Sequence, residues 1–278
     1  MSWDVSGNPE EFLAAAGGFL YADPVRNTVL LTVTETLRVR GVHVYGDLDP
    51  SFGWWRSGTG EVRGAFVHTP PRAVQLSPMP EPAVRELVEV LPDEVTGLGA
   101  EAAVGQTFAA AWEHRTGRAG EVQLRERLYR LERLEAPRVP GEARLATSDD
   151  RRLLLAWLAA FREDAGLPHG VNPAVTDDKL DYGGYLLWVD GEPVSLAGRT
   201  RVVAGMARVA PVYTPLERRR LGYGGAVTAA ATRAALDAGA REVVLFTDLA
   251  NPTTNSLYPR LGYRPVADVL QFAFRGGS

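Results

Sequence analysis

Two hydrophobic periods alternate along the chain and mark out its elements. Val84, Leu87, Val88 and Leu91 fall on one face of a helix over Glu81–Leu91. Leu154, Trp157, Leu158 and Phe161 do the same behind a cap at Thr147 or Ser148. Asn8 or Ser6 caps a first helix through Phe12, Leu13 and Leu20, and Ala102–His114 predicts another. Val25–Val39 is helical or mixed, because the threonines between Thr28 and Thr36 leave its type open. Strands read as short β-branched and aromatic runs bounded by turn residues. Phe52–Arg56 and Val62–His68 predict a pair across Ser57–Gly60, followed by strands at Arg72–Leu76, Val95–Leu98 and Val122–Leu134. Farther on come Ala143–Ala146, then Tyr185–Val189 and Pro193–Ala197 joined at Asp190–Gly191, the strongest hairpin signal in the chain. Pro168–Asp181 is polar and predicts a mobile stretch, with a turn or helix start at Asn172–Pro173. At 278 residues the chain exceeds a typical domain. Pro137-Arg-Val-Pro-Gly141 punctuates two periodic segments, so the expected layout is 1–136, a linker at 137–141, and 142–278.

The stretch Ala210–Asp237 carries the clearest chemistry. A strand, Met206–Val212, runs into a basic turn with three glycines, and a helix of small residues starts near Tyr223 or Gly224 and stops at Gly239. Open amides at such a helix start face outward at the positive end of the dipole, which makes the turn an anion site. Arg218, Arg219 and Arg220 add charge, and Gly222, Gly224 and Gly225 let a phosphate approach the backbone. A nucleoside-triphosphate loop needs Gly-Lys-Ser/Thr, and no lysine follows these glycines. A dinucleotide fingerprint needs a glycine where Val227 stands, and its first glycine directly after a strand, whereas Pro215–Leu221 intervenes.

Arg219-Arg220-Leu221-Gly222-Tyr223-Gly224 resembles the acyl-coenzyme A loop of the GNAT superfamily of N-acetyltransferases. Downstream, the strand Glu242–Thr247 and the run Asp248 to Tyr263 are similar to the family's strand, asparagine-led short helix, tyrosine and closing glycine–aromatic turn. The resemblance implies an α/β (α+β) GNAT fold, a mixed and mostly antiparallel sheet flanked by helices. The element order of the first half is similar to a second, degenerate GNAT domain, an unrelated α/β accessory domain being the alternative. Its Pro78-Met-Pro-Glu-Pro82 lacks both arginine and glycine, so this half is expected to bind no acetyl-CoA. In the second half the backbone of Pro211, Val212 and Tyr213 would pair with the pantetheine arm, and an amide of Val212 or Tyr213 would polarise the thioester carbonyl. The amides of Leu221, Gly222, Gly224 and Gly225 would hold the pyrophosphate with Arg219, beside Arg218, Arg220 and Tyr223. Asn255 would contact the pantetheine or adjacent backbone, and Asn251 belongs to the same coenzyme-binding set.

Tyr258 is the candidate proton donor to the coenzyme sulfur, since a phenol of ordinary pKa ~10 stays neutral at pH 7. Packing in the core is the other account of it. Many GNAT relatives carry a glutamate base on the strand before the turn, but Met206–Val212 contains no carboxylate. A water relay, or Glu163, Asp164 or Asp248, remains; Asp248 equally suits capping of the next turn.

Composition narrows the partners. Net charge is −4, against general nucleic-acid binding. There is no cysteine, which removes thiolate metal sites and thiol nucleophiles. His43, His68, His114 and His169 have no metal-ligand spacing, so no metal is expected. The Met-Ser-Trp-Asp start lacks a signal-peptide pattern and no apolar run reaches membrane-spanning length, so a cytoplasmic protein without membrane partners is expected, as monomer or homodimer. Asp177, Asp178 and Asp181 either attract a cationic amine or are solvated. The expected activity is acetyl transfer from acetyl-CoA to a primary amine of a small molecule or peptide. The rival is a non-catalytic acyl-CoA sensor or interaction module on the same scaffold.

Overall fold

A computed structural model of the chain describes residues 1–166 and 170–275. Pro168 and His169, at the head of the expected mobile stretch, lie outside them. The chain forms two compact units: Met1–Leu128 with Thr247–Asn251 and the residues from Val266 onward, and Tyr129–Phe246 with Pro252–Pro265. Residues 137–141 lie within the second unit, and the chain beyond Pro265 joins the first.

The first unit opens with β1 (Ser2–Ser6), α1 (Pro9–Ala22), α2 (Thr28–Arg40), β2 (Ser51–Arg56), β3 (Val62–His68) and β4 (Val74–Leu76). It continues through α3 (Glu81–Val90), β5 (Gly97–Glu101), α4 (Ala102–Thr116) and most of β6 (Gly120–Leu131). Asn8 caps α1, its side chain accepting from the Glu10 amide at 2.9 Å. The ambiguous threonine-rich segment is a helix: Thr32 donates to the Thr28 carbonyl at 2.7 Å and Thr36 to that of Thr32 at 2.9 Å, which satisfies their hydroxyls locally. β1 has no counterpart among the expected elements. Its residues are mostly exposed, and it exists because it pairs antiparallel with β2 and Trp3 donates to the Ala83 carbonyl at 2.9 Å. The strand expected at Val95–Leu98 is displaced to Gly97–Glu101, where it runs parallel to β4. Phe66, Leu87, Leu98, Phe108 and Trp112 form the core of this unit.

The second unit contains β7 (Glu142–Leu145), α5 (Arg151–Asp164), α6 (Pro173–Asp181), β8 (Tyr185–Asp190), β9 (Glu192–Arg199) and β10 (Met206–Tyr213). There follow α7 (Tyr223–Asp237), β11 (Glu242–Asp248), α8 (Pro252–Arg260) and β12 (Tyr263–Phe274), the last two strands each extending into the first unit. β7, β8, β9 and β10 are antiparallel neighbours and β10 runs parallel to β11, the mixed sheet that was expected. Thr147 and Asp150 form a reciprocal capping box before α5, preceded by one 3₁₀ turn. Arg144 grips the same Asp150 with two hydrogen bonds of 2.7 and 2.8 Å.

The polar stretch departs from expectation. From Pro173 it is the helix α6, capped by Asn172, whose side chain accepts from the Val175 amide at 3.2 Å. Two aspartates expected to face solvent or an amine are in bidentate ion pairs: Asp177 with Arg151, and the buried Asp178 with Arg201. Small residues on α7 let it lie close to the sheet, with Val227, Ala231 and Ala235 fully buried beside Tyr258, Leu261 and Tyr263. A second cluster, Leu154, Leu158, Leu187 and Leu196, lies beneath α5, each side chain supplying about 1.5–3 kcal/mol on burial.

Candidate functional site

The site is built where β10 leaves its neighbour. Its parallel ladder with β11 covers only Met206–Arg208 against Glu242–Val244. On the other edge, Val209 pairs with Arg199, but the register then shifts and pairing resumes at Val212 with Ala197. Ala210 and Pro211 thus form a bulge in mid-strand. Gly198 faces that bulge, and a Cβ there would stand 2.6 Å from the Ala210 carbonyl oxygen. A side chain at 198 would push the strands apart. Ser195 braces the end of β10, donating to the Tyr213 carbonyl at 2.9 Å.

After Tyr213 the chain turns through Pro215, a 3₁₀ turn at Leu216–Arg218, and Arg220 at φ +66° to reach α7. Gly222 takes the cap position at φ +87° and offers no side chain, so the amides of the first turn have no capping partner. Glycine is required there twice over, since a Cβ would also lie 2.6 Å from Val139 Cγ1. Gly225 is closely covered too, by Leu257. Tyr223 turns its buried ring inward and donates to the Asp190 carboxylate, tying the helix start to the β8–β9 turn. Leu221 is exposed.

Two of the three arginines are engaged. Arg219 is paired with Asp164 and its Nε donates to the Thr214 carbonyl at 2.9 Å; Arg218 is paired with Glu192. These pairs are half-exposed and therefore weak, so an incoming phosphate can compete for either guanidinium. Arg220 is exposed.

On α8, Tyr258 is buried, with Tyr129 and Tyr263 rings at 6.3 and 6.2 Å. Its hydroxyl makes no hydrogen bond among the described residues, and burial pushes its pKa up to about 12. Asn255 is half-buried one turn earlier on the same helix. Asp248 and Asn251 fall in the first compact unit. Asp248 accepts from the Ala250 amide at 2.8 Å, the turn-capping arrangement that the sequence left open for it.

Lys179 went unrecognised in the sequence reading. Its Nζ donates to the carbonyl of Ala210, inside the bulge, at 2.9 Å, and stands 5.3 Å from the Tyr185 ring centroid. Desolvation, followed by the charge of Arg208, brings its pKa down to about 7, against a smaller opposing effect of Asp178. One signal was available. Lys179 is the sole lysine of the chain; every other member of its 30 lysine and arginine residues is arginine. Among the described residues no group of three or more metal-ligating side chains is gathered, and no helix is long and apolar enough to cross a membrane.

Residues 151–263 match the model of the Acetyltransferase (GNAT) family. A GCN5-related N-acetyltransferase from Sphaerobacter thermophilus is similar over 99% of this chain and 97% of its own, at 18% identity and TM-score 0.62. One from Kribbella flavida covers 78% of this chain and 89% of its own, with 21% identity and TM-score 0.56. A tandem GNAT protein from the clavulanic acid biosynthesis pathway covers 100% of both chains at 14% identity and TM-score 0.56. At these identities the likeness is one of fold. No curated protein matches the sequence. Residues 151–263 thus carry a domain of the Acetyltransferase (GNAT) family, within a chain whose fold as a whole is shared with a tandem GNAT protein.

Proposed function

We propose that the chain transfers an acetyl group from acetyl-CoA to a primary amine, of a small molecule or a peptide, by direct attack in a ternary complex. The observation that carries this reading is the sequence of features along one path. β10 loses its β11 ladder after Arg208, bulges at Ala210–Pro211, and leads through the connection Thr214–Gly222 to a helix start without a side-chain cap. A strand edge released in this way suits an extended amide-containing arm, and the open amides suit a diphosphate. In this reading Pro211, Val212 and Tyr213 receive the pantetheine, and the amides of Leu221 to Gly225 receive the pyrophosphate with Arg218, Arg219 and Arg220. Asn255 completes the coenzyme contacts within this unit. Tyr258 presents its hydroxyl to the departing sulfur, and the lack of a hydrogen-bond partner for that hydroxyl among the described residues supports the role.

Two measurements test the proposal together. Calorimetry with coenzyme A and acetyl-CoA should report binding, and a panel of amines with free thiol as readout should report turnover. Binding without turnover on any amine would favour the non-catalytic acyl-CoA sensor, and no heat with either form of the coenzyme would end both readings.

A further inference from the structure

Attack by an amine on a thioester needs an acceptor for the amine's proton, and β10 has no carboxylate to offer. What stands beside β10 instead is a lysine. Lys179 reaches from α6 to a carbonyl within the bulge of β10, that of Ala210, and bonds to it at 2.9 Å. Space for the contact exists because position 198 is glycine: a Cβ would sit 2.6 Å from that carbonyl oxygen and 3.1 Å from the Tyr185 ring. The bonded residue, Ala210, lies two positions before Val212 and directly precedes the segment Pro211–Tyr213 proposed to receive the pantetheine.

We propose that Lys179 is the general base of the transfer, its Nζ taking a proton from the neutral acceptor amine as that nitrogen attacks the thioester carbon. The inference rests on the acetyl-transfer reading given above. The C–N bond forms and the C–S bond breaks; the amine's proton goes to Lys179 Nζ, and the sulfur departs as a thiolate that accepts a hydrogen bond from the Tyr258 hydroxyl. A neutral lysine amine donates one hydrogen to Ala210 and keeps its lone pair for the acceptor, which an arginine cannot do.

The surroundings favour the neutral form. Arg208 on β10 opposes a second positive charge, and the rings of Tyr185 on β8 and of Tyr182 after α6 enclose the region. Arg199 on β9 lies over the Tyr182 ring. Asp178 on the same helix, the carboxylate that opposes this shift, is in a bidentate pair with Arg201, and Asp177 is paired with Arg151 of α5. Desolvation dominates, and the amine titrates at about 7, where a base can cycle at neutral pH.

A single lysine makes the test direct. Lysine labelled with ¹⁵N gives one Nζ resonance, and its pH titration in the full chain should have a midpoint near 7; an ordinary lysine midpoint of ~10.4 overturns the proposal. The pH profile of kcat/KM should rise through the same midpoint for two amines of different basicity. K179M and K179R should each lose at least about 100-fold in kcat/KM and lose that rising limb, while binding coenzyme A within about threefold of the parent. Because the chain has no cysteine, K179C alkylated with 2-bromoethylamine places an amine back at this position alone, and turnover should return. A K179M enzyme with undiminished turnover or an unchanged limb overturns the assignment and leaves acetyl transfer standing. Stoichiometric acetylation of Lys179 in the parent would make it the acceptor and likewise overturn it. Failure of the parent itself to turn over any amine overturns both readings.

Discussion

Removing the hydroxyl of Tyr258 separates a chemical role from a packing role. Tyr258→Phe keeps the ring that sits between Tyr129 and Tyr263 and deletes one oxygen with no hydrogen-bond partner among the described residues. No protein hydrogen bond is lost among the described residues, so stability should change by less than about 0.5 kcal/mol. The rate should respond differently. At about 12, the buried phenol is a weaker acid than a thiol of ordinary pKa ~8.5, so its contribution is a hydrogen bond to the thiolate that strengthens as the C–S bond breaks. Bonds to a charged partner are worth about 1.5–3 kcal/mol, which is roughly a 10- to 150-fold loss of kcat. Coenzyme affinity should stay near that of the parent. Because the pKa is raised from 10, the donor stays protonated at higher pH than a free tyrosine, and no alkaline fall from it should appear below about pH 10. Tyr263→Phe is the control: its hydroxyl shares a 2.6 Å bond with Thr232, so the change should cost about 1 kcal/mol with little effect on rate. Steady-state kinetics, calorimetry and thermal melts on the two variants decide the matter. Parental turnover in Tyr258→Phe, or a joint fall in melting temperature and coenzyme affinity, would refute the reasoning.

Three other perturbations test the frame. Gly222→Ala imposes left-handed backbone on a residue with a Cβ and drives that carbon to 2.6 Å from Val139 Cγ1; a loss of about 2–4 kcal/mol is expected by chemical denaturation, partly recovered by Val139→Ala. Arg219→Ala should weaken coenzyme A binding roughly tenfold in low salt, whereas Asp164→Asn, which releases Arg219, should strengthen it by no more than about fivefold. Titration calorimetry would read both, and an unchanged affinity in Arg219→Ala would remove that side chain from the phosphate site. Asp150, held down at about 2 by the Arg144 guanidinium, stabilises the fold above its unfolded value of 3.8 and ceases to do so as pH falls toward 2. With Arg144 half-exposed, on the order of 1–2 kcal/mol should disappear across that window in acid unfolding, and Asp150→Asn should flatten it.

Local chemistry made much of the molecule readable from its residues. The caps were narrowed to Asn8 or Ser6, Thr147 or Ser148, and a turn or helix start at Asn172, of which the structure uses Asn8, Thr147 and Asn172. The Asp190–Gly191 hairpin and the glycine stop of α7 depend on neighbours within a few positions and were readable from spacing. The same is true of the turn Arg219–Gly225, whose residues carry the family likeness. Elements that exist only through distant partners were not legible. β1 is held by β2 and the α3 backbone, β5 is placed by its pairing with β4, and α6 is pinned by Arg151 and Arg201. The carboxylates of Asp177 and Asp178 looked free because nothing in the chain announces which arginine will meet them. Lys179 shows the division most plainly. Its rarity can be counted in the sequence, but its proximity to Ala210 and its loss of solvent arise only when α6, the β8 tyrosine, the glycine at 198 and the bulge of β10 close around it. A charge is tuned by the dielectric and dipoles that surround it, and those belong to the folded chain.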